Sequence, residues 1–329
     1  MTFESQNNSK VRAHTNIALV KYWGKENEAL KIPTTSSLSL TLDKFYTDTE
    51  VTFKNELAAD QIIFNGEAVK GNKAKRITNF LNIVREMAGK NIFAEVKTSN
   101  NVPTAAGLAS SASGFAALAG AASKAIGLKL NKKELSRLAR RGSGSATRSI
   151  YGGFVEWQKG FGDQTSIGVP FIEKVDWNIH IVAILVNKSE KEMTSTQGMK
   201  ISKDTSPYYV EWKKLCKRDL KNIKIAIKAH DFSRMGKIAE ENAMRMHALT
   251  LSADPDFTYF DADSLKVMKL VHNLRQRGIE CYFTMDAGPN VKILVEDHNL
   301  VSLKQELKKD FDEDKIIVAS PGPGIKYLK

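Results

Sequence analysis

Cysteine is nearly absent: Cys216 and Cys281 are the only two thiols in 329 residues. They fit neither a disulfide framework nor the ligand spacing of a zinc site. Cys281, inside the apolar stretch CYF, reads as a buried thiol. Long apolar runs are also missing. None approaches the roughly 20 residues that span a bilayer, and the opening MTFESQNNSK lacks the apolar centre of a secretion signal. The expectation is a cytoplasmic protein with no membrane contact. Acidic residues are outnumbered, 37 against 49 basic, for a formal net charge of +12. Nucleic acid could use such a charge, but the basic residues are dispersed. Their densest spots, Lys213-Lys214, Lys217-Arg218 and Lys308-Lys309, lie on helix-like stretches and read as solvated faces. No zinc finger, basic zipper or RNA-binding signature is present, so nucleic acid is not expected, and a small anionic substrate stays open. Also lacking are internal repeats, low-complexity tracts, long linkers and clusters of His, Cys or paired carboxylates that would hold a metal. No histidine pairs with a nucleophile motif, and His14 reads as structural.

What is present is an ordinary globular balance, 42% hydrophobic and 26% charged, at a length that suits two domains or one large one. The first half is strand-rich. RAHTNIALVKYW alternates and then breaks at polar residues. SSLSLTL, FYTDTEVTF, QIIF and NIFAEVKTS read as further strands, with Asn65-Gly66 as a hairpin turn. Residues 73–88 read as a basic amphipathic helix with Ile77, Phe80, Leu81 and Val84 on one face. KKELSRLARRGSGSATRSI predicts a helix, a break and a second helix, and GGFVEWQ a strand. The second half opens with the buried strand IHIVAILV. Helices follow over 206–228, 231–250 and 261–277, then a hairpin, a helix near 298–310 and a short terminal strand. The division falls softly at 1–178 and 179–329.

Four stretches could carry chemistry. PTAAGLASSAS, Pro103 to Ser113, places Ser110, Ser111 and Ser113 at a helix start, after Gly107 permits a tight turn. Free N–H groups and the positive dipole end suit a phosphate there. A serine-capped helix explains the same residues, and no Gly-Lys-Ser/Thr follows to make a Walker loop. In RRGSGSATRS, Gly142 and Gly144 alternate with Ser143 and Ser145 before Arg148. That pattern fits a phosphate grip or a flexible turn between helices. NIALVKYWGK gathers Asn16, Lys21, Tyr22 and Lys25, with Lys21 ending an apolar strand as an anion partner or a snorkelling cation. KEMTSTQGMKIS offers Lys191, Ser195 and Thr196 before a helix start. Apart from these stands YFTMDAGPNVKIL, where Asp286 ends a strand two residues before the turn Gly288-Pro289-Asn290. A turn aspartate is the plain reading; a carboxylate aimed into a site is the other.

Taken together, NIALVKYWGK, PTTSSLSLTL, VPTAAGLASSASGFAALA, LARRGSGSATRSIYGGFVEW, STQGM, MRMHA and CYFTMDAGPNVKIL resemble, in order, the mevalonate diphosphate decarboxylases of the GHMP kinase superfamily. The match runs from about residue 11 to 296. The resemblance implies a two-domain α+β GHMP kinase-like fold with the active site in the cleft between domains. It implies conversion of mevalonate 5-diphosphate and ATP to isopentenyl diphosphate, ADP, phosphate and carbon dioxide, in isoprenoid biosynthesis by the mevalonate pathway. Asp286 then faces the C3 hydroxyl that attacks the γ-phosphate, as base or as orienting group. Lys21 keeps Asp286 ionised. Arg148 binds the C1 carboxylate, and Asn16 lies near the reacting end. Tyr22, Lys25, Ser143, Ser145 and Ser195 match positions around the substrate. Gly107, Leu108, Ala109, Ser110, Ser111 and Lys191 match the side that binds the ATP phosphates. Magnesium is expected on those phosphates, with Ser110 and Ser111 as candidate hydroxyl ligands, and a homodimer is expected. The +12 charge suits two polyanions in one cleft.

Departures are Thr35, where the family often has Asn, Thr196, where some bacterial relatives have Arg, and the atypical tail SPGPGIKYLK, to which no role is assigned. Three rivals stay in view. The first is a family member acting on mevalonate or its 5-phosphate, against which Tyr22, Lys25, Ser143 and Ser145 argue. A ligand-binding regulator of the same fold would lose Lys21, Arg148 or Asp286, and all three are present. A nucleic-acid binder rests on charge alone.

Overall fold

The computed structural model describes residues 7–101, 110–186 and 192–329. The chain begins with β1 (Asn8–Val20), the small ribbon β2 (Lys25–Asn27) and β3 (Ile32–Pro33), and the 18-residue β4 (Ser37–Lys54). β5 (Gln61–Phe64), β6 (Glu67–Ala68), helix α1 (Gly71–Ala88) and β7 (Phe93–Asn100) follow. Then come α2 (Ser110–Ala125), α3 (Lys132–Gly142), a 3-10 helix over Gly144–Ile150, β8 (Phe154–Trp157) and β9 (Gly168–Ile172). The remainder is β10 (Ile179–Ile184), α4 (Ser195–Thr205), α5 (Tyr209–Lys228), α6 (Phe232–Leu251), α7 (Ala262–Gln276), β11 (Cys281–Met285), β12 (Val291–Glu296), α8 (Asp297–Leu307), β13 (Ile316–Ala319) and β14 (Lys326–Leu328).

Two mixed α and β layers result. An eight-stranded sheet runs β14-β1-β4-β7-β5-β6, with β8 and β9 continuing from the far end of β4. A four-stranded sheet runs β11-β12-β10-β13, antiparallel throughout. The Ala-rich face of α2 lies on the first sheet with Val11, Ala13, Val51 and Phe53. Small side chains let this helix approach closely: a Cβ at Gly120 would stand 3.2 Å from a Val11 methyl. β1 changes surroundings along its length. Its start alternates exposed and buried residues, whereas everything from Ala13 to Val20 is buried. Ile17 and Leu19 join Ile179, Ile181, Met235 and Ala239 in a core shared by both halves of the chain. The strand thus carries its C-terminal end, and Lys21, into the interior.

Sequence periodicity located most elements but not their joins. SSLSLTL and FYTDTEVTF, expected as separate strands, form the single strand β4. Its first part pairs with β8 at Ser37–Leu40 and its second with β7 at Thr47–Lys54. Opposite it, β1 slips register between His14 and Asn16, and such an irregularity lets a long strand bend while the pairing resumes. The second helix after the GSGS break is a short 3-10 segment. Asn65 (φ 49°) and Gly66 (φ 87°) make the expected tight hairpin turn. The tail has a structural place that its sequence did not suggest. β14 adds to the first sheet at Lys10–Arg12, and Gly322 donates to the Thr41 carbonyl at 2.7 Å while accepting from Gly153 N–H at 3.0 Å. A Cβ at Gly322 would lie 2.3 Å from the Leu42 carbonyl carbon, so that crossing needs glycine.

Candidate active site

Asp286 follows the last residue of β11, where the chain turns into β12. The turn is pinned on three sides. Gly288 N–H donates to the Asp286 carbonyl at 2.8 Å. Ser264, in the first turn of α7, donates to the Pro289 carbonyl at 2.6 Å. Val186 N–H donates to the Asn290 side-chain carbonyl at 2.7 Å. The carboxylate therefore sits on a braced strand end rather than on a loose loop.

Lys21 reaches it from the end of β1. Its Nζ donates to Asp286 Oδ1 at 2.9 Å and to the Ala18 carbonyl at 2.7 Å, and the residue is 1% exposed. Its backbone N–H donates to Asn242 Oδ1 at 2.8 Å. Asn242 is oriented in turn by buried Asp219, which takes its amide at 2.9 Å and Arg245 at 2.7 Å. After Trp23 the chain turns at Gly24 (φ 107°), where any Cβ would collide with the Tyr209 hydroxyl. A second lysine, Lys292 of β12, is fully buried with its Nζ 3.6 Å from Asp286 Oδ2. That separation exceeds hydrogen-bond length, and among the described residues Oδ2 accepts no hydrogen bond.

Burial alone would raise the Asp286 pKa. Lys21, Lys292 and Arg148 outweigh that effect and hold the carboxyl well below the usual carboxylate range. Burial lowers both lysines from their ordinary value, and Asp286 opposes that lowering. His247 of α6 lies in the same electrostatic neighbourhood. Burial, reinforced by Lys21, pushes it down to about 3, so it is neutral, and neither ring nitrogen has a hydrogen-bond partner.

Arg148 projects from the 3-10 segment and is 2% exposed. Its Nε donates to Asn16 Oδ1 at 3.1 Å and its Nη1 to Ser37 Oγ at 2.6 Å. Among the described residues no carboxylate forms an ion pair with it. Burial lowers its pKa to about 10, with Asp286 opposing from a distance. Asn16 is fully engaged, donating also to Ser149 Oγ at 2.8 Å and the Ser145 carbonyl at 3.2 Å. It supports Arg148 from behind.

The hydroxyls of Ser111, Ser143 and Ser145 form a line with successive separations of 3.4 Å. The glycines between them work by close approach. A Cβ at Gly142 would lie 2.0 Å from the Phe115 ring, and one at Gly144 would lie 2.8 Å from Trp157 and 2.9 Å from Tyr22. The Tyr22 ring packs against Trp157 at a 59° tilt with centroids 4.6 Å apart, and its buried hydroxyl has no partner among the described residues. Lys25 is buried and paired with Glu28. Ser110 and Ser111 open α2 with exposed side chains, whereas Ser113 turns inward to Thr47 Oγ1 at 2.7 Å and serves the fold. Ser195 is half-buried at the start of α4, behind a capping box made by Thr194 and Gln197, with Thr196 exposed beside it and Thr35 buried elsewhere. Gly107, Leu108, Ala109 and Lys191 lie outside the described residues.

Sequence reasoning passed over several charged groups. Lys292 reads as one residue of an apolar strand, and only its register opposite Thr284 in the hairpin signals a buried side chain. Lys31, Lys75, Arg76 and Arg141 line a groove of about 290 Å³ beside Gly142. Lys31 Nζ donates there to the carbonyls of Arg141 and Gly142, and burial lowers its pKa to about 8. The signal for this groove was the basic run in GNKAKR, which amphipathic reading assigns to solvent. Among the described residues no group of three His, Cys, Asp or Glu could hold a metal, and no helix is long and apolar enough to cross a membrane.

Two family models match consecutive parts of the chain: a diphosphomevalonate decarboxylase-like N-terminal domain over residues 13–168 and a mevalonate 5-diphosphate decarboxylase C-terminal domain over residues 181–321. The crystal structure of mevalonate diphosphate decarboxylase from Staphylococcus aureus superposes with a TM-score of 0.94 at 48% identity, covering 98% of each chain. A structure described as MDDEF in complex with MVAPP, AMPPCP and magnesium does so with a TM-score of 0.94 at 51% identity, covering 98% of this chain and 99% of that one. The diphosphomevalonate decarboxylase of Debaryomyces hansenii is 35% identical over 88% of this chain and 80% of its own length.

Proposed function

Because the chain belongs to the diphosphomevalonate decarboxylase family, we propose roles for the cleft residues in that family's reaction. The protein decarboxylates mevalonate 5-diphosphate with consumption of ATP. One observation carries the assignment of roles. Asp286 is held ionised with one oxygen that accepts no hydrogen bond among the described residues, while Arg148 is buried with no carboxylate partner among them. An unpaired buried cation is costly, and a substrate carboxylate would complete it.

In this reading the C3 hydroxyl of the substrate donates to Asp286 Oδ2. Lys21 occupies Oδ1 and fixes the plane of the carboxylate. Asp286 orients the hydroxyl for attack on the γ-phosphate and can take its proton. Arg148 binds the C1 carboxylate, held in aim by Asn16 and Ser37, so Asn16 is a positioning residue. Once the C3 hydroxyl has become a phosphate ester and phosphate departs from C3 with the C–O electron pair, the C1–C2 bond breaks, carbon dioxide leaves, and that bond's electron pair forms the C2–C3 double bond. Asp286 then faces the carbon where positive charge develops. Ser143, Ser145, Tyr22 and Lys25 surround the diphosphate, with Ser195 at its edge.

The nucleotide lies towards Ser111 and the basic groove of Lys31, Lys75, Arg76 and Arg141; Gly107, Leu108, Ala109 and Lys191 are assigned to it by resemblance to the family alone. The hydroxyl line fits a magnesium ion that is carried mainly by phosphate oxygens, and such an ion would neutralise phosphate charge. Ser110 and Ser111 are its candidate protein contacts. A relative that binds MVAPP, AMPPCP and magnesium supports this pairing of ligands. Two free, buried thiols suit the reducing cytoplasm. A homodimer is part of the reading, and sedimentation tests it. The activity is tested by ADP release with mevalonate 5-diphosphate, its 5-phosphate and mevalonate side by side. We expect turnover with the diphosphate alone; equal turnover with the 5-phosphate would overturn the substrate assignment.

A further inference from the structure

Lys21 and Lys292 approach the same carboxylate in different ways. Lys21 hydrogen-bonds Oδ1 at 2.9 Å. Lys292 is 0% exposed, spends a hydrogen bond on the Asn290 carbonyl at 2.9 Å, and stands 3.6 Å from Oδ2. At that distance an ammonium attracts the charge without occupying a lone pair. We propose that Lys292 is a positioning residue for the reaction: it keeps Asp286 Oδ2 ionised while leaving that oxygen open to accept the substrate hydroxyl. This rests on the role given to Asp286 above.

The hairpin explains why the arrangement is reproducible. Lys292 pairs in register with Thr284, two residues before Asp286, so the same two strands place both the acid and its second cation. The side chain is tied at its tip by the turn that it serves. The charged and titratable groups that act on Asp286 are Lys21 from β1, Lys292 from β12 and Arg148 from the 3-10 segment, with neutral His247 nearby on α6. Three cations around one anion leave an excess of two positive charges. A fold seeking only stability would not bury Lys292 there, because one lysine already balances the acid. The excess suits a site that receives a carboxylate and a transferring phosphoryl group.

The experiment compares Lys292→Met, Lys292→Gln and Asp286→Asn with the wild-type chain in pH profiles of kcat, in KM for mevalonate 5-diphosphate and in thermal unfolding. Loss of Lys292 raises the Asp286 pKa, so the acid limb of kcat should move to higher pH by about one pH unit. At neutral pH Asp286 stays ionised through Lys21 and Arg148, so the expected fall in kcat there, about tenfold, comes from losing a fixed cation beside the transferring phosphoryl group and the placement of Oδ2, with KM changed much less and Tm not lowered. Gln keeps a hydrogen-bond donor without the charge and should behave like Met; it decides the question if the Met variant does not fold. An acid limb and kcat matching wild type in a folded variant would overturn the proposal. If Asp286→Asn is fully active, the reading of the site itself fails; if it is inactive while the Lys292 variants match wild type, only the role of Lys292 fails.

Discussion

Asp286 and Arg148 are both buried charges, and their surroundings are built on opposite plans. The acid is crowded by cations from three elements, yet among the described residues one of its oxygens accepts no hydrogen bond. The arginine is crowded by neutral oxygens from Asn16 and Ser37 and has no anion of its own among the described residues. The first corner is electrostatically overfilled and geometrically open. The second is geometrically held and electrostatically incomplete. A protein interior tolerates neither condition for stability alone. The difference shows which group each corner is waiting for: a hydroxyl at Asp286 and a carboxylate at Arg148.

The sharpest way to break that contrast is to remove the acid. Asp286→Ala should fold with reduced stability, because Lys21 and Lys292 lose their shared buried anion, and should still bind ATP, while kcat falls by about 10³-fold. Near-normal turnover in a coupled ADP assay would end the argument for that corner. Arg148→Gln tests the other corner. It keeps one hydrogen-bonding amide but no charge, and should lower decarboxylation by about 10²-fold, with nucleotide affinity by calorimetry unchanged. An unchanged rate would show that the unpaired guanidinium awaits something else. The smallest effect is expected one layer behind the acid. Asn242→Ala removes the acceptor for Lys21 N–H and one of the partners of Asp219, so denaturant unfolding should show a loss of about 1–3 kcal/mol, with only a severalfold fall in kcat. A fall as large as that of Asp286→Ala would make Lys21 placement, rather than the acid, the limiting feature.

Much of this was legible beforehand. Strong periodicity located the helices over 209–228, 232–251 and 262–276 within a few residues. Phe232, Met235, Met246 and Leu249, which share one face at helical spacing, are buried, with Ile238 partly so. Local chemistry also marked the GSGS break and the strand end at Asp286. Cys281 is buried in its strand. What failed to show were facts set by partners far along the chain. The continuity of β4 depends on β7 and β8 sharing one of its edges. The place of the tail depends on Thr41, Gly153 and Lys10 awaiting it. The glycines of RRGSGS read as flexibility or exposed amides, whereas Phe115, Trp157 and Tyr22 press on them.

By itself, then, the sequence determined the elements, the resemblance to a decarboxylase family and the identities of Lys21, Arg148 and Asp286 as the charged residues to watch. Periodicity, turn chemistry and residue type are local properties, and each is written within a few neighbouring positions. Only the tertiary structure decided which oxygen of Asp286 is open, that Asn16 serves Arg148, and that Lys292 is a second buried cation on the acid. Those are properties of distance and burial between residues as far apart as Lys21 and Asp286, and no local pattern encodes a 3.6 Å separation.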